Sequence, residues 1–137
     1  MEQRLKQERK EVEIYTDGAC RGNPGPGGWA AVLLYQGQRK EISGAEQETT
    51  NQRMELKAAI EALSSLKYPC RVKLYSDSAY LVNAFTQNWF RNWEKNGWLT
   101  AKKTPVENKD LWQQLLALSR KHQLQWIKVK GHANNEE

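Results

Sequence analysis

Only two cysteines, Cys20 and Cys70, occur in the 137 residues, and only two histidines. That is too few for a disulfide scaffold and fits a reducing cytoplasm. No apolar run approaches the roughly 20 residues that a membrane-spanning helix needs. The N-terminus, MEQRLKQERKEVE, carries charges where a secretory signal would be apolar. The expectation is a cytoplasmic chain without a membrane partner. Proline is sparse at four residues and glycine at nine, which excludes collagen-like or low-complexity sequence. With 39% hydrophobic and 27% charged residues there is material for a core, and the length suits one domain rather than two marginal ones.

The net charge of +5 is unevenly distributed. Residues 1–88 hold 12 basic and 11 acidic groups, whereas residues 89–137 hold 9 basic and 5 acidic groups. Four of the six tryptophans, Trp89, Trp93, Trp98 and Trp112, stand near that excess. Cations interleaved with aromatics suit a nucleic acid, whose phosphates attract the charge and whose bases or sugars stack on rings. Tryptophans that fill a core would give the same composition.

Residues 1–11 read as a charged tail and residues 12–137 as the domain. Val12 to Thr16 alternates as a strand, and the stretch Asp17–Gly28, with five glycines and two prolines, reads as turn-rich. Trp29–Tyr35 reads as a second strand and Arg39–Ser43 as a short third one. From Asn51 the period changes: Leu56, Ala59, Ile60, Leu63 and Leu66 mark an amphipathic helix ending before Pro69. A strand follows at Val72–Ser76. Ser78 caps a helix to about Phe85, a further helix covers Trp89–Asn96, and Gly97 ends it. Pro105 opens the next helix, striped by Leu111, Leu115 and Leu118, and Leu124–Val129 forms the last strand. Three strands followed by alternating helices and strands predict an α/β fold, a mixed five-stranded sheet with helices on both faces.

Three acids stand where surface charge is not the simplest explanation. Asp17 ends the first strand, Glu55 lies in the first turns of the long helix, and Asp77 ends the fourth strand. If the first and fourth strands are parallel neighbours, their C-terminal ends flank the switch point where open α/β sheets bind ligands. Two like charges ~4 Å apart repel by roughly 4 kcal/mol at an effective dielectric of 20, and a cation relieves that cost. Oxygen ligands without a histidine or cysteine pair favour Mg²⁺ or Mn²⁺ over zinc. A purely structural reading, with the aspartates in turns and Glu55 in a helix ion pair, is equally compatible with the spacing.

Four motifs in order, Ile14–Gly28 (IYTDGACRGNPGPGG), Thr49–Leu56 (TTNQRMEL), Tyr75–Ser78 (YSDS) and Val129–Ala133 (VKGHA), resemble ribonuclease H of the bacterial type 1 class. The resemblance runs from about Val12 to the chain end. It implies an endonuclease that cuts the RNA strand of RNA/DNA hybrids with two Mg²⁺ ions, Mn²⁺ being an alternative, to leave 5′-phosphate and 3′-hydroxyl ends. Asp17, Glu55 and Asp77 match the family's metal-binding catalytic acids, and His132 matches its loop histidine, suited to moving protons near neutrality. By the same likeness Gly18, Cys20, Asn51 and Gln52 line the RNA minor-groove side, while Asn23, Thr50 and Asn51 hold a DNA phosphate. Arg53 is a candidate bridge from the acids to the core.

Trp89–Lys103 matches a basic protrusion for the DNA strand, with Trp89, Trp93, Lys95, Lys102 and Lys103 as contacts. Ala79 departs from the pattern, since many relatives carry a glutamine there. A second departure is the family's fourth acid, which opens a final helix about ten residues beyond the loop histidine. The sequence ends at Glu137, so that helix and its ligand are expected to be missing. A hybrid-binding module with impaired catalysis is the alternative this raises. A transposase or integrase domain shares the fold and the acids, but GHA and the Trp-rich segment favour ribonuclease H. A monomer is expected.

Overall fold

The computed structural model describes residues 10–130. Five strands, β1 (Glu11–Cys20), β2 (Gly25–Tyr35), β3 (Gln38–Thr49), β4 (Arg71–Ser76) and β5 (Gln123–Lys128), form one sheet in the order β3-β2-β1-β4-β5. β1, β2 and β3 are antiparallel neighbours, and β4 and β5 run parallel to β1. The chain works outward from β1 to β3 and then returns to β1's other side, so the switch point lies between the C-terminal ends of β1 and β4.

Four helices follow: α1 (Asn51–Ser64), α2 (Ala79–Thr86), α3 (Trp89–Asn96) and α4 (Lys109–Ser119). Thr50 and Ser78 cap α1 and α2 by accepting the amides of Arg53 and Leu81. Alternation in β1 sends Val12, Ile14 and Thr16 into the core, and Ile14 lies level with Leu33 and Leu74. Leu56 and Leu63 of α1, Leu81 of α2 and Trp112 and Leu115 of α4 cover that face and are fully buried. The opposite face carries Tyr15 stacked on Tyr75 at 4.4 Å, with Tyr15 41% exposed. Among the described residues α1 packs against β1 and β2, α2 against β4 and β5, α3 against α2, and α4 against α1. No helix of the described residues is long and apolar enough to cross a membrane.

Four boundaries differ from the expectation, the first being the end of α1 at Ser64, which leaves Leu66 of the expected stripe beyond the helix. The glycine-rich stretch is mostly strand, because Asp17–Cys20 pairs with Gly27–Ala30 and leaves a tight turn at residues 21–24. β3 extends to Thr49, well past Ser43, because β2 offers partners as far as Gly25. α4 begins at Lys109 rather than Pro105, since Pro105 bridges to Leu99 and Val106 donates its amide to the Trp98 carbonyl.

The join between β1 and α1 is unusually close. A Cβ on Gly18 would lie 2.5 Å from the Met54 carbonyl carbon and 2.6 Å from the Glu55 nitrogen, both of them backbone atoms. Only glycine permits this approach. A second tie joins α1 to α4. Arg53 donates two hydrogen bonds to Asp110, at 3.1 and 2.8 Å, and a third to Asn108 at 3.2 Å. Asn108 and the Trp112 indole both donate to the Tyr80 hydroxyl. The Arg53 guanidinium thereby holds the Asp110 carboxyl below its ordinary range.

Two outcomes follow for stability. Gly18→Ala should cost about 2–3 kcal/mol in chemical denaturation, because neither backbone can yield without shifting the helix. Asp110 has a lowered folded pKa, so its contribution is present above the ordinary carboxylate range and is lost as pH falls through the lowered value. Asp110→Asn should therefore cost about 0.5–1 kcal/mol at pH 7, and the difference from wild type should shrink as melting is repeated below about pH 4.

Candidate active site

Asp17 lies within β1, level with Ala30 and short of the strand's end at Cys20, not last in the strand as the sequence suggests, and Asp77 directly follows Ser76 at the end of β4. Both line one surface hollow together with Tyr15, Tyr75, Val129 and Lys130. The parallel pairing of β1 and β4 thus brings two acids 60 positions apart in sequence to the same end of the sheet. Glu55 reaches them from the side, carried by the α1 turn whose backbone rests on Gly18.

The electrostatics show that the three acids share one environment. The Glu55 carboxyl is pushed above its ordinary value, first by burial and then by repulsion from Asp77 and Asp17, while a hydrogen bond from Ser78 works against the rise. Ser78 Oγ donates to Glu55 Oε1 at 2.8 Å. Among the described residues no three Asp, Glu, His or Cys side chains close into a ready metal cage. The set is nevertheless suited to a hard cation: Mg²⁺ keeps several waters and completes its shell with substrate phosphates, so it needs few protein oxygens. Crowded carboxylates with one member partly desolvated are the arrangement a divalent ion would relieve.

The residues matched to substrate contacts fall into two groups. Around the start of α1 the structure brings several together. Asn23 Oδ1 accepts the Asn51 amide at 3.1 Å, tying the β1–β2 turn to the helix N-terminus. Thr50 Oγ1 is occupied by the Arg53 amide at 3.1 Å, and Asn51 and Gln52 are exposed on the first turn. Cys20 points its thiol at the carbonyls of Thr49 and Gly25, 3.2 and 3.3 Å away. Arg53 turns from the acids toward Asp110, which replaces the expected bridge from the acids to the core.

The second group surrounds α3. Trp89 and Trp93 are half-buried and pack edge-on to each other at 5.9 Å. Phe90, Trp98 and Trp112 complete the cluster, so these rings build the protrusion as well as face outward. Lys95 in the last turn of α3, and Lys102 and Lys103 in the following loop, are exposed. His132 lies outside the described residues. Sequence reasoning read Ser78 as a cap only. Its bond to Glu55 had no signature beyond the adjacency of Ser78 to Asp77, because the partner sits 23 positions away.

The family model for RNase H matches residues 9–137. A ribonuclease H of Caldanaerobacter subterraneus subsp. tengcongensis is 66% identical over 132 residues, covering 96% of this chain and 86% of that protein. One from Moorella thermoacetica is 70% identical over 128 residues, covering 93% and 84%. Among solved structures, LC9-RNase H1, a type 1 RNase H with the type 2 active-site motif, superposes with a TM-score of 0.79 at 32% identity. That match covers 91% of this chain, which spans 65% of the other's length. LC11-RNase H1 in complex with an RNA/DNA hybrid has the same fold, with a TM-score of 0.70 at 24% identity. With the five-stranded mixed sheet, the acids at its switch point and a family match across nearly the whole chain, this protein belongs to the ribonuclease H family of enzymes.

Proposed function

We propose that this chain is an endonuclease that hydrolyses the RNA strand of RNA/DNA hybrids with two divalent ions, Mg²⁺ or Mn²⁺, leaving 5′-phosphate and 3′-hydroxyl ends. The observation that carries the reading is the meeting of Asp17 and Asp77 in one hollow at the switch point beside Glu55, where partial burial and then like charges raise the Glu55 carboxyl. The relative solved with a hybrid supports that substrate class. Divalent ions held by these acids would supply water activation for in-line attack and charge neutralisation at the leaving 3′ oxygen.

The chain's own residues have defined parts in this reading. Asp17, Glu55 and Asp77 hold the cations and orient the scissile phosphate between β1 and α1. The N-terminus of α1, with Thr50, Asn51 and the adjoining Asn23, is suited to a phosphate of the DNA strand, because its amides carry partial positive charge. Gln52, Asn51, the Gly18 backbone and the surface around Cys20 face the RNA minor groove, where the 2′-hydroxyl distinguishes RNA from DNA. Trp89 and Trp93 offer their exposed edges to sugars, and Lys95, Lys102 and Lys103 attract the DNA backbone. His132 moves the proton of the leaving or product group.

Incubation with labelled hybrid, duplex RNA and duplex DNA tests the reading. Hybrid alone should be cut, and chelator should abolish the cleavage. Tight binding without metal-dependent cutting would instead identify a binding module, and cutting of duplex DNA would sink the 2′-hydroxyl discrimination. Asp17→Asn should lower kcat by roughly 10²-fold or more while leaving hybrid binding intact or improved, as one negative charge beside phosphate is removed. Glu55 has a raised folded pKa, so its ionised form costs stability at neutral pH, and that cost is relieved as pH falls through the raised value. Glu55→Gln should accordingly lose cleavage yet gain about 0.5–1 kcal/mol of stability at pH 7, read by thermal melting.

A further inference from the structure

Ser78 meets two demands with one hydroxyl. Its Oγ accepts the Leu81 amide at 3.0 Å, which caps α2, and donates to Glu55 Oε1 at 2.8 Å. Its own amide donates to Ser76 Oγ at 3.0 Å. Ser76 and Ser78 are 3% and 4% exposed, so these bonds form away from competing water. Asp77 therefore stands between two buried serines whose bonds hold the β4–α2 turn, and Glu55 of α1 is tied to that same turn.

We propose that Ser78 is a positioning residue that fixes the Glu55 carboxylate relative to Asp77, so that acids from two separate elements are presented together to a divalent cation. This rests on the metal-dependent reading above. Capping alone does not call for such a residue: aspartate caps as well, but it has no proton to donate and would add a like charge beside Glu55. A hydroxyl that accepts an amide at a helix N-terminus is polarised into a stronger donor, and its proton is left one direction to take. The bond engages Oε1 only, which leaves Oε2 of Glu55 for a cation. Restricting the carboxylate's rotation in advance lowers what must be ordered when the ion binds.

Three substitutions separate the two roles, because glycine caps a helix nearly as well as serine whereas alanine does not. Mg²⁺ affinity is measured by calorimetry on the substrate-free chain, alongside melting temperature and the carboxyl carbon shift of Glu55 by NMR. Ser78→Thr should hold Mg²⁺ within about twofold of wild type, and Ser78→Gly and Ser78→Ala should each weaken it about tenfold. Only Ser78→Ala should melt at a clearly lower temperature. The Glu55 shift should move in the glycine and alanine variants and stay in the threonine variant. Wild-type affinity and an unmoved Glu55 shift in Ser78→Gly would overturn the proposal, as would an affinity that tracks melting temperature across the series. All three readouts are taken without hybrid, so a wild-type chain that cuts no hybrid counts against the nuclease reading alone.

Discussion

The site depends on one steric allowance, the absence of a side chain at Gly18. With the α1 backbone seated directly on β1 at Met54 and Glu55, the first turns of the helix cannot slide along the strand. Asp17 is the strand residue just before that contact and Glu55 the helix residue within it. Their proximity thus follows from two backbones touching rather than from any attraction between carboxylates, which repel. Cross-links reinforce the placement: the Asn23 side chain binds the Asn51 amide from the hairpin side, and Arg53 binds Asp110 from the α4 side. A helix gripped at both flanks of its N-terminus can carry an acid in an unfavourable place.

That place is unfavourable in a specific sense. Burial and two neighbouring aspartates raise the Glu55 carboxyl, and one hydroxyl bond from Ser78 offsets part of the cost. The core of Ile14, Leu56, Leu63, Leu74, Leu81, Trp112 and Leu115 supplies the stability against which this is set. Stability and function are divided along the sheet, with close packing on the helix-covered face and polar strain at the ends of β1 and β4. The aromatic protrusion follows a similar division, since Trp89 and Trp93 are anchored by Phe90, Trp98 and Trp112 and so present fixed edges beside exposed lysine charge.

Much of this was legible from residues alone, and the exceptions share a cause. The α1 stripe, the Thr50 and Ser78 caps and the Gly97 stop depend on contacts a few positions apart, which the local pattern records. The glycine-rich Asp17–Gly28 stretch looked like loop because glycine is a poor strand former in isolation. It is strand because Asp17–Cys20 pairs with Gly27–Ala30, and glycine is needed at Gly18 and Gly27 because neighbouring atoms approach too closely for a Cβ. The far half of β3 is silent in the sequence for a related reason: Gly44 and its polar neighbours carry little strand signal, and their pairing with β2 supplies it. Pro105 reads locally as a helix start, but it bridges to Leu99 while Val106 bonds the Trp98 carbonyl.

The sequence by itself determined which chemistry was available: three hard oxygen donors, no metal-binding histidine or cysteine pair, a cationic aromatic segment, and motifs that carry the family. These are properties of residue type and order, and survive without coordinates. The tertiary structure decided which acids meet, which residue steadies them and where Arg53 turns. Those outcomes depend on strand order and on contacts between elements 23 to 57 positions apart, and no local propensity encodes a distance across that span.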